Sequence, residues 1–149
     1  MENFYAQIDL IKHAGITGYS LREDIRFPIV HTRDIAEVGT QRLLDLDFSG
    51  HTHEFIGGAA DLTMKEAAAI LGQAINKPEL PYVAFSVADA KAGMMQAGLA
   101  ETIADGYNEL FAALNSGIYQ EGYQRTADNT TPTSLQWFAE NEFKYAYNN

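Results

Sequence analysis

The sequence predicts an α/β fold, helix-rich with a few short strands. Two observations carry this. From Phe27 to Ala74 the pattern alternates: a β-rich stretch, a capped helix, a short strand, then a second capped helix. The composition, 46% hydrophobic and 20% charged over 149 residues, is that of a globular chain. A chain of this length buries roughly 70% of its unfolded surface, so a true core is available. No repeat, low-complexity tract or linker divides it, and residues 1–149 read as a single domain.

Residues Met1–Phe4 run directly into an amphipathic segment, with no strand and no glycine-rich turn ahead of it. Phe4, Ile8 and Ile11, with Leu10 at the margin, share one helical face, and Gly15 closes the helix. Ile16–Arg22, which contains Gly18, reads as irregular or briefly extended. Ile25–His31 is β-rich, and Pro28 confines it to a sheet edge or a strand end.

Asp34 with Glu37 three residues later reads as a capping box. The helix it opens is expected to turn Ile35, Val38, Leu43 and Leu44 inward and to stop near Leu46. Asp47–Gly50 is a turn, and His53–Ile56 is a short strand ending at Gly57-Gly58. A second capping box, Thr63 with Glu66, starts a helix carrying Ala67, Ala68, Ile70, Leu71 and Ile75, which Asn76-Lys77-Pro78 ends.

Tyr82–Phe85 is a strand. Ser86 caps a helix running through Met95, and Gly98 breaks it. Leu99–Asn115 forms a long helix with an apolar stripe of Ile103, Tyr107, Leu110, Phe111 and Leu114. Gly117–Thr130 is polar and loop-like. Thr133 with Gln136 caps a last helix, docked by Leu135 and Phe138, with Trp137 a further candidate.

Charge and composition exclude several functions. Twenty acidic against ten basic residues give a net charge of −10, which repels nucleic acid and anionic membranes alike. With no cysteine there are no disulfides, thiolate metal sites or cysteine nucleophiles. No signal peptide and no membrane-length apolar run is present, so the expected location is the cytoplasm. The twelve glycines form neither G-x-G-x-x-G nor G-x-x-x-x-G-K, so no loop is built to cradle phosphates. Tyr-x-x-x-Lys and G-x-S-x-G are absent too, and no catalytic residue is assigned.

His51 and His53 would share one face of a strand, but no third ligand accompanies them. An HxH beside a turn is more often solvent-facing, so no metal site is assigned. In His31-Thr32-Arg33-Asp34, Asp34 is read as the cap and Arg33 as solvent-facing or paired. Met94-Met95 suits either core or pocket wall. Trp137, Phe138, Phe143, Tyr145 and Tyr147 read as a docking face for the terminal helix rather than a ligand cage.

Several pieces, in order, resemble the NmrA-like family of atypical short-chain dehydrogenase/reductases. They are Met1-Glu2-Asn3-Phe4, the run Phe27–Ala36, Gly57-Gly58 with Leu62-Thr63-x-x-Glu66-Ala67-Ala68, and Thr130-Thr131-Pro132-Thr133-Ser134-Leu135-x-x-Phe138. The resemblance spans essentially the whole chain and implies the C-terminal, substrate-binding half of a Rossmann-type protein. The NAD(P)-binding half would lie upstream, and Met1 would match an internal position.

By that likeness Glu2, Asn3 and Phe4 lie near the nicotinamide. Phe4, Gly18, Met94 and Met95 line a cleft for a small-molecule substrate. NAD(P) is the cofactor of the complete family protein, and none is expected to bind this chain alone. Family members include both reductases and NADP sensors without turnover. Three readings stand: the substrate lobe of a reductase, inactive alone; a sensor or interaction module; and a standalone small-molecule-binding module. An unpaired strand and open helix faces imply either a homo-oligomer or a separately encoded N-terminal half.

Overall fold

A computed structural model describes residues 1–149, the side chain of Tyr119 excepted. A 3₁₀ turn, Glu2–Gln7, leads into α1, Ile8–Ala14, which ends at Gly15 in the left-handed region (φ 69°). Then follow β1 (Thr17–Tyr19), β2 (Arg26–Phe27), α2 (Thr32–Asp45), β3 (Leu62–Thr63) and α3 (Met64–Ala74). The second half holds β4 (Tyr82–Ala84), α4 (Val87–Gln96), α5 (Glu101–Ser116), α6 (Leu135–Phe138), a π-helical stretch Ala139–Phe143 and α7 (Lys144–Asn148). The result is a helix-rich α/β fold with a few short strands, as the sequence predicts.

Two small sheets hold it together. β1 and β4 pair in parallel, Thr17 opposite Tyr82 and Tyr19 opposite Ala84. β2 and β3 pair antiparallel, Arg26 opposite Thr63. Gly18 is obligatory in the first pair. A Cβ there would lie 2.4 Å from the Val83 carbonyl oxygen and 2.6 Å from the Phe85 ring.

The core is centred on α3 and the C-terminal helices. Ile11, Leu71, Phe138 and Phe143 are fully buried, with Phe4, Met64, Ala67 and Leu135 around them. Tyr5 stacks near-parallel on Phe143 at 6.3 Å, and Phe138 meets both rings. The docking role read for Phe138 and Phe143 thus holds, while Tyr145 is exposed. The Thr63 box forms as expected: its hydroxyl accepts from the Glu66 amide and the Glu66 carboxylate from the Thr63 amide.

Five expectations are corrected. His31, not Asp34, caps α2, with Nδ1 accepting the Arg33 amide at 3.0 Å; Asp34 sits inside the first turn, and Glu37 is exposed. Most apolar residues of α2 do not turn inward: Leu43 is 67% and Leu44 73% exposed, Ile35 is exposed as well, and Val38 is half-buried. His53–Ile56 is not a strand, since a strand needs a ladder and only Gly57 bridges, to Thr130.

Likewise Ser134, not Thr133, caps α6, because the Thr133 hydroxyl is taken by Asp34. On α5 the expected stripe is split: Phe111 and Leu114 pack on the core, while Ile103, Tyr107 and Leu110 face outward. Smaller Ala104 and Asn108 take the buried positions instead. Gly98, read as a helix breaker, has φ 93° between α4 and α5. Among the described residues no helix is long and apolar enough to cross a membrane.

Candidate functional site

The most concentrated polar chemistry lies where α2 begins. The first amides of any helix lack intrahelical acceptors, and here two side chains supply them. His31 Nδ1 takes the Arg33 amide, and Glu2, reaching from the opening 3₁₀ turn, takes the Thr32 amide at 3.0 Å and the Thr32 hydroxyl at 2.5 Å. Because Nδ1 accepts, the proton sits on Nε2, which donates to Glu142 Oε1 at 3.1 Å. Tyr5 donates to the other Glu142 oxygen at 3.1 Å. His31 is 5% exposed and edge-on to Trp137 and Phe138.

The electrostatics follow from this geometry. Burial pushes the Glu2 carboxyl up, but hydrogen bonds from Thr32 and the backbone outweigh it and bring it down to about 2. Tyr5 is pushed up to about 12 by burial and by the Glu142 carboxylate it bonds. Glu2, His31 and Glu142 place ligand-type atoms within 4.8 Å of one another. With Nδ1 accepting the Arg33 amide and Nε2 donating to Glu142, neither ring nitrogen keeps a free lone pair, so in this arrangement the trio is a hydrogen-bonded clamp rather than a coordination sphere.

One turn further on, Asp34 is 2% exposed and accepts from the Thr133 amide at 3.0 Å and the Thr133 hydroxyl at 2.6 Å. Burial raises this carboxyl, but hydrogen bonds from Thr133 and Thr131, with His31 nearby, more than offset it and hold it below the usual range. Arg33 lies over the Trp137 ring at 4.6 Å and donates to Thr133 Oγ1. A third lock, Arg125, pairs with Asp61 at 2.5 Å and donates to Gly58 O and Thr130 Oγ1. A Cβ at Gly58 would fall 1.8 Å from the Ile29 carbonyl oxygen, which explains the glycine at the end of the Gly57-Gly58 pair.

The residues assigned by resemblance fall in different surroundings. Glu2 is engaged in the clamp, Phe4 is in the core, and Asn3 has its side chain exposed while its carbonyl accepts the Tyr19 hydroxyl at 3.3 Å. Gly18 lies beside them on β1, its amide donating to Gln7. Met94 (half-buried) and Met95 (exposed) lie on α4, which packs on α5. His51 and His53 are exposed. Sequence reading misses Glu142 and the capping role of His31, because the partners lie 111 residues apart and no local spacing joins them.

Comparison with known proteins adds one relationship. No protein-family model matches the chain, and no solved structure matches it. It is 34% identical over 140 residues to an NAD(P)H azoreductase from Xenophilus azovorans, a stretch covering 94% of this chain and 48% of that protein. The chain thus spans about half the length of this curated relative, and the similarity relates it broadly to an NAD(P)H-dependent oxidoreductase.

Proposed function

We propose that this chain is the substrate-side half of an NmrA-like, NAD(P)H-dependent oxidoreductase, inactive alone and completed by a dinucleotide-binding half. The observation that carries this is the outward face of α2. Ile35, Leu43, Leu44 and Leu46 are exposed there, with Phe48 and Phe55 also exposed in the segment that follows. Beside them 52–56 runs without a ladder, although it leads into the bridged Gly57. An apolar helix face next to unpaired backbone is what a parallel sheet covers when its remaining strands are present.

The similarity to half of an NAD(P)H azoreductase supports the same reading. The chemistry proposed is addition of a hydride from NAD(P)H and a proton from water across an azo N=N bond, giving NAD(P)+ and the hydrazo product. In this arrangement the clamp of Glu2, His31 and Glu142 fixes the opening turn, and with it Asn3, against α2. Co-expression with the part of the Xenophilus azovorans protein outside the matched stretch tests this. NADPH oxidation with an azo dye as acceptor is expected for the complex and not for the chain alone. Turnover by the chain alone would overturn the proposal.

A further inference from the structure

One added proton on His31 would change which atoms its ring can bond. Nε2 lies 3.1 Å from Glu142 Oε1 and Nδ1 lies 3.3 Å from Glu2 Oε1, while Nδ1 also accepts the Arg33 amide at 3.0 Å. In the neutral ring Nδ1 carries a lone pair. The Arg33 contact is then a hydrogen bond, and the Glu2 contact sets two acceptors against each other. In the imidazolium both nitrogens carry hydrogens. The Glu2 contact then becomes a donor–acceptor pair, and the Arg33 contact sets two donors against each other. The ring is 5% exposed and edge-on to Trp137 and Phe138, so the two arrangements compete within one packed site.

The charges around the ring come from three elements. The opening turn contributes the Glu2 carboxylate and the Met1 ammonium, which pairs with Glu2 Oε2 at 3.0 Å. Tyr5, from the same turn, reaches the cluster as a hydroxyl bonded to Glu142. α2 contributes the Asp34 carboxylate and the Arg33 guanidinium, the latter drawn over Trp137. The π-helical stretch contributes Glu142. Glu2, brought down to about 2, and Asp34, held below its usual range, both stay negative across pH 5–8, about where histidines exchange protons. The carboxylates stabilise a charged ring, whereas burial and the Arg33 amide stabilise a neutral one.

We propose that His31 is a proton-sensitive cap on α2. The neutral ring holds the Arg33 amide; the protonated ring releases it and closes on Glu2 and Glu142. The proton thus exchanges a bond to the start of α2 for a second bond to the opening turn. The Thr32 amide keeps its Glu2 acceptor in both states, so the loss is confined to one amide. This switch does not depend on the function proposed above, since every group in it belongs to the chain itself.

The test is amide NMR of the full 149-residue chain from pH 8 to pH 5, with the histidine rings followed in parallel. The Arg33 amide signal should move with the His31 ring along one single-proton curve. Its solvent exchange, corrected for the pH dependence of a free amide, should be about tenfold faster in the protonated form, the size of one net hydrogen bond. The Thr32 amide should keep its protection. His13, His51 and His53 are exposed, and their rings serve as the internal reference. Glu142→Gln keeps an acceptor for Nε2 but removes a negative charge, and should move the midpoint down by about one pH unit or more. His31→Gln should flatten the Arg33 curve. A ring that stays neutral down to pH 5, an Arg33 signal that does not follow it, or one that moves equally in His31→Gln would overturn the proposal. An unmoved midpoint in Glu142→Gln would do the same. Should His31→Gln not fold, the native chain and Glu142→Gln decide between these outcomes.

Discussion

Replacing Asp34 by alanine is expected to be among the most damaging single changes in this chain. Its carboxylate is 2% exposed and accepts two hydrogen bonds from Thr133, at 3.0 and 2.6 Å, tying α2 to the segment that leads into α6. Hydrogen bonds to a charged group contribute about 1.5–3 kcal/mol each, so losing both costs about 3–6 kcal/mol, a large part of a domain's total stability. Glu37, the partner that sequence reading gives Asp34, is exposed, and Glu37→Ala should change stability by less than about 0.5 kcal/mol. The folded carboxyl titrates below its usual 3.8, so the contribution is whole above that value and fades as pH falls through the folded pKa. Urea midpoints of the native chain and Asp34→Ala should therefore lie far apart at pH 7 and draw together as pH falls below 3.8. An Asp34→Ala midpoint within error of the native one, or a gap independent of pH, would refute the reasoning.

Two further outcomes are expected. Thr63→Ala removes the hydroxyl half of the capping box and should lower stability by about 1 kcal/mol in the same assay, leaving ligand contacts untouched; an unchanged midpoint would show that the box carries no stability. Leu43→Lys with Leu44→Lys places charge on the open face of α2 without touching the core. Light scattering should show the native chain associating with concentration and the double variant as a monomer, whereas a native monomer would count against that face as an interface.

Local signals in the sequence were reliable where local chemistry decides. The Thr63 box, the Gly15 and Gly98 breaks, the Ser86 cap and the Tyr82 strand all form close to where spacing puts them. At the start of α2 the local spacing points to Asp34, but distant partners decide which side chain caps. Thr133 claims Asp34 from 99 residues away, which leaves His31 to cap. The same bond removes Thr133 from the cap of α6 and hands that role to Ser134.

The apolar periodicity of α2 is real, yet in this chain it faces outward, since periodicity tells which residues share a face and not what covers it. His53–Ile56 has strand-like composition but no ladder, a matter of pairing that composition cannot decide. Glu2, Gly18 and the methionines of α4 enter by resemblance alone, and Glu142 was not legible, because its partner His31 lies 111 residues away and only packing joins them.

The most direct test of the half-enzyme account is calorimetric titration of NADPH. No glycine-rich loop or phosphate-facing helix start is present in the sequence to grip the pyrophosphate. The chain alone should give no saturable heat in the micromolar range, and its complex with a dinucleotide-binding half should bind stoichiometrically. Low-micromolar binding of NADPH by the chain alone would contradict the account.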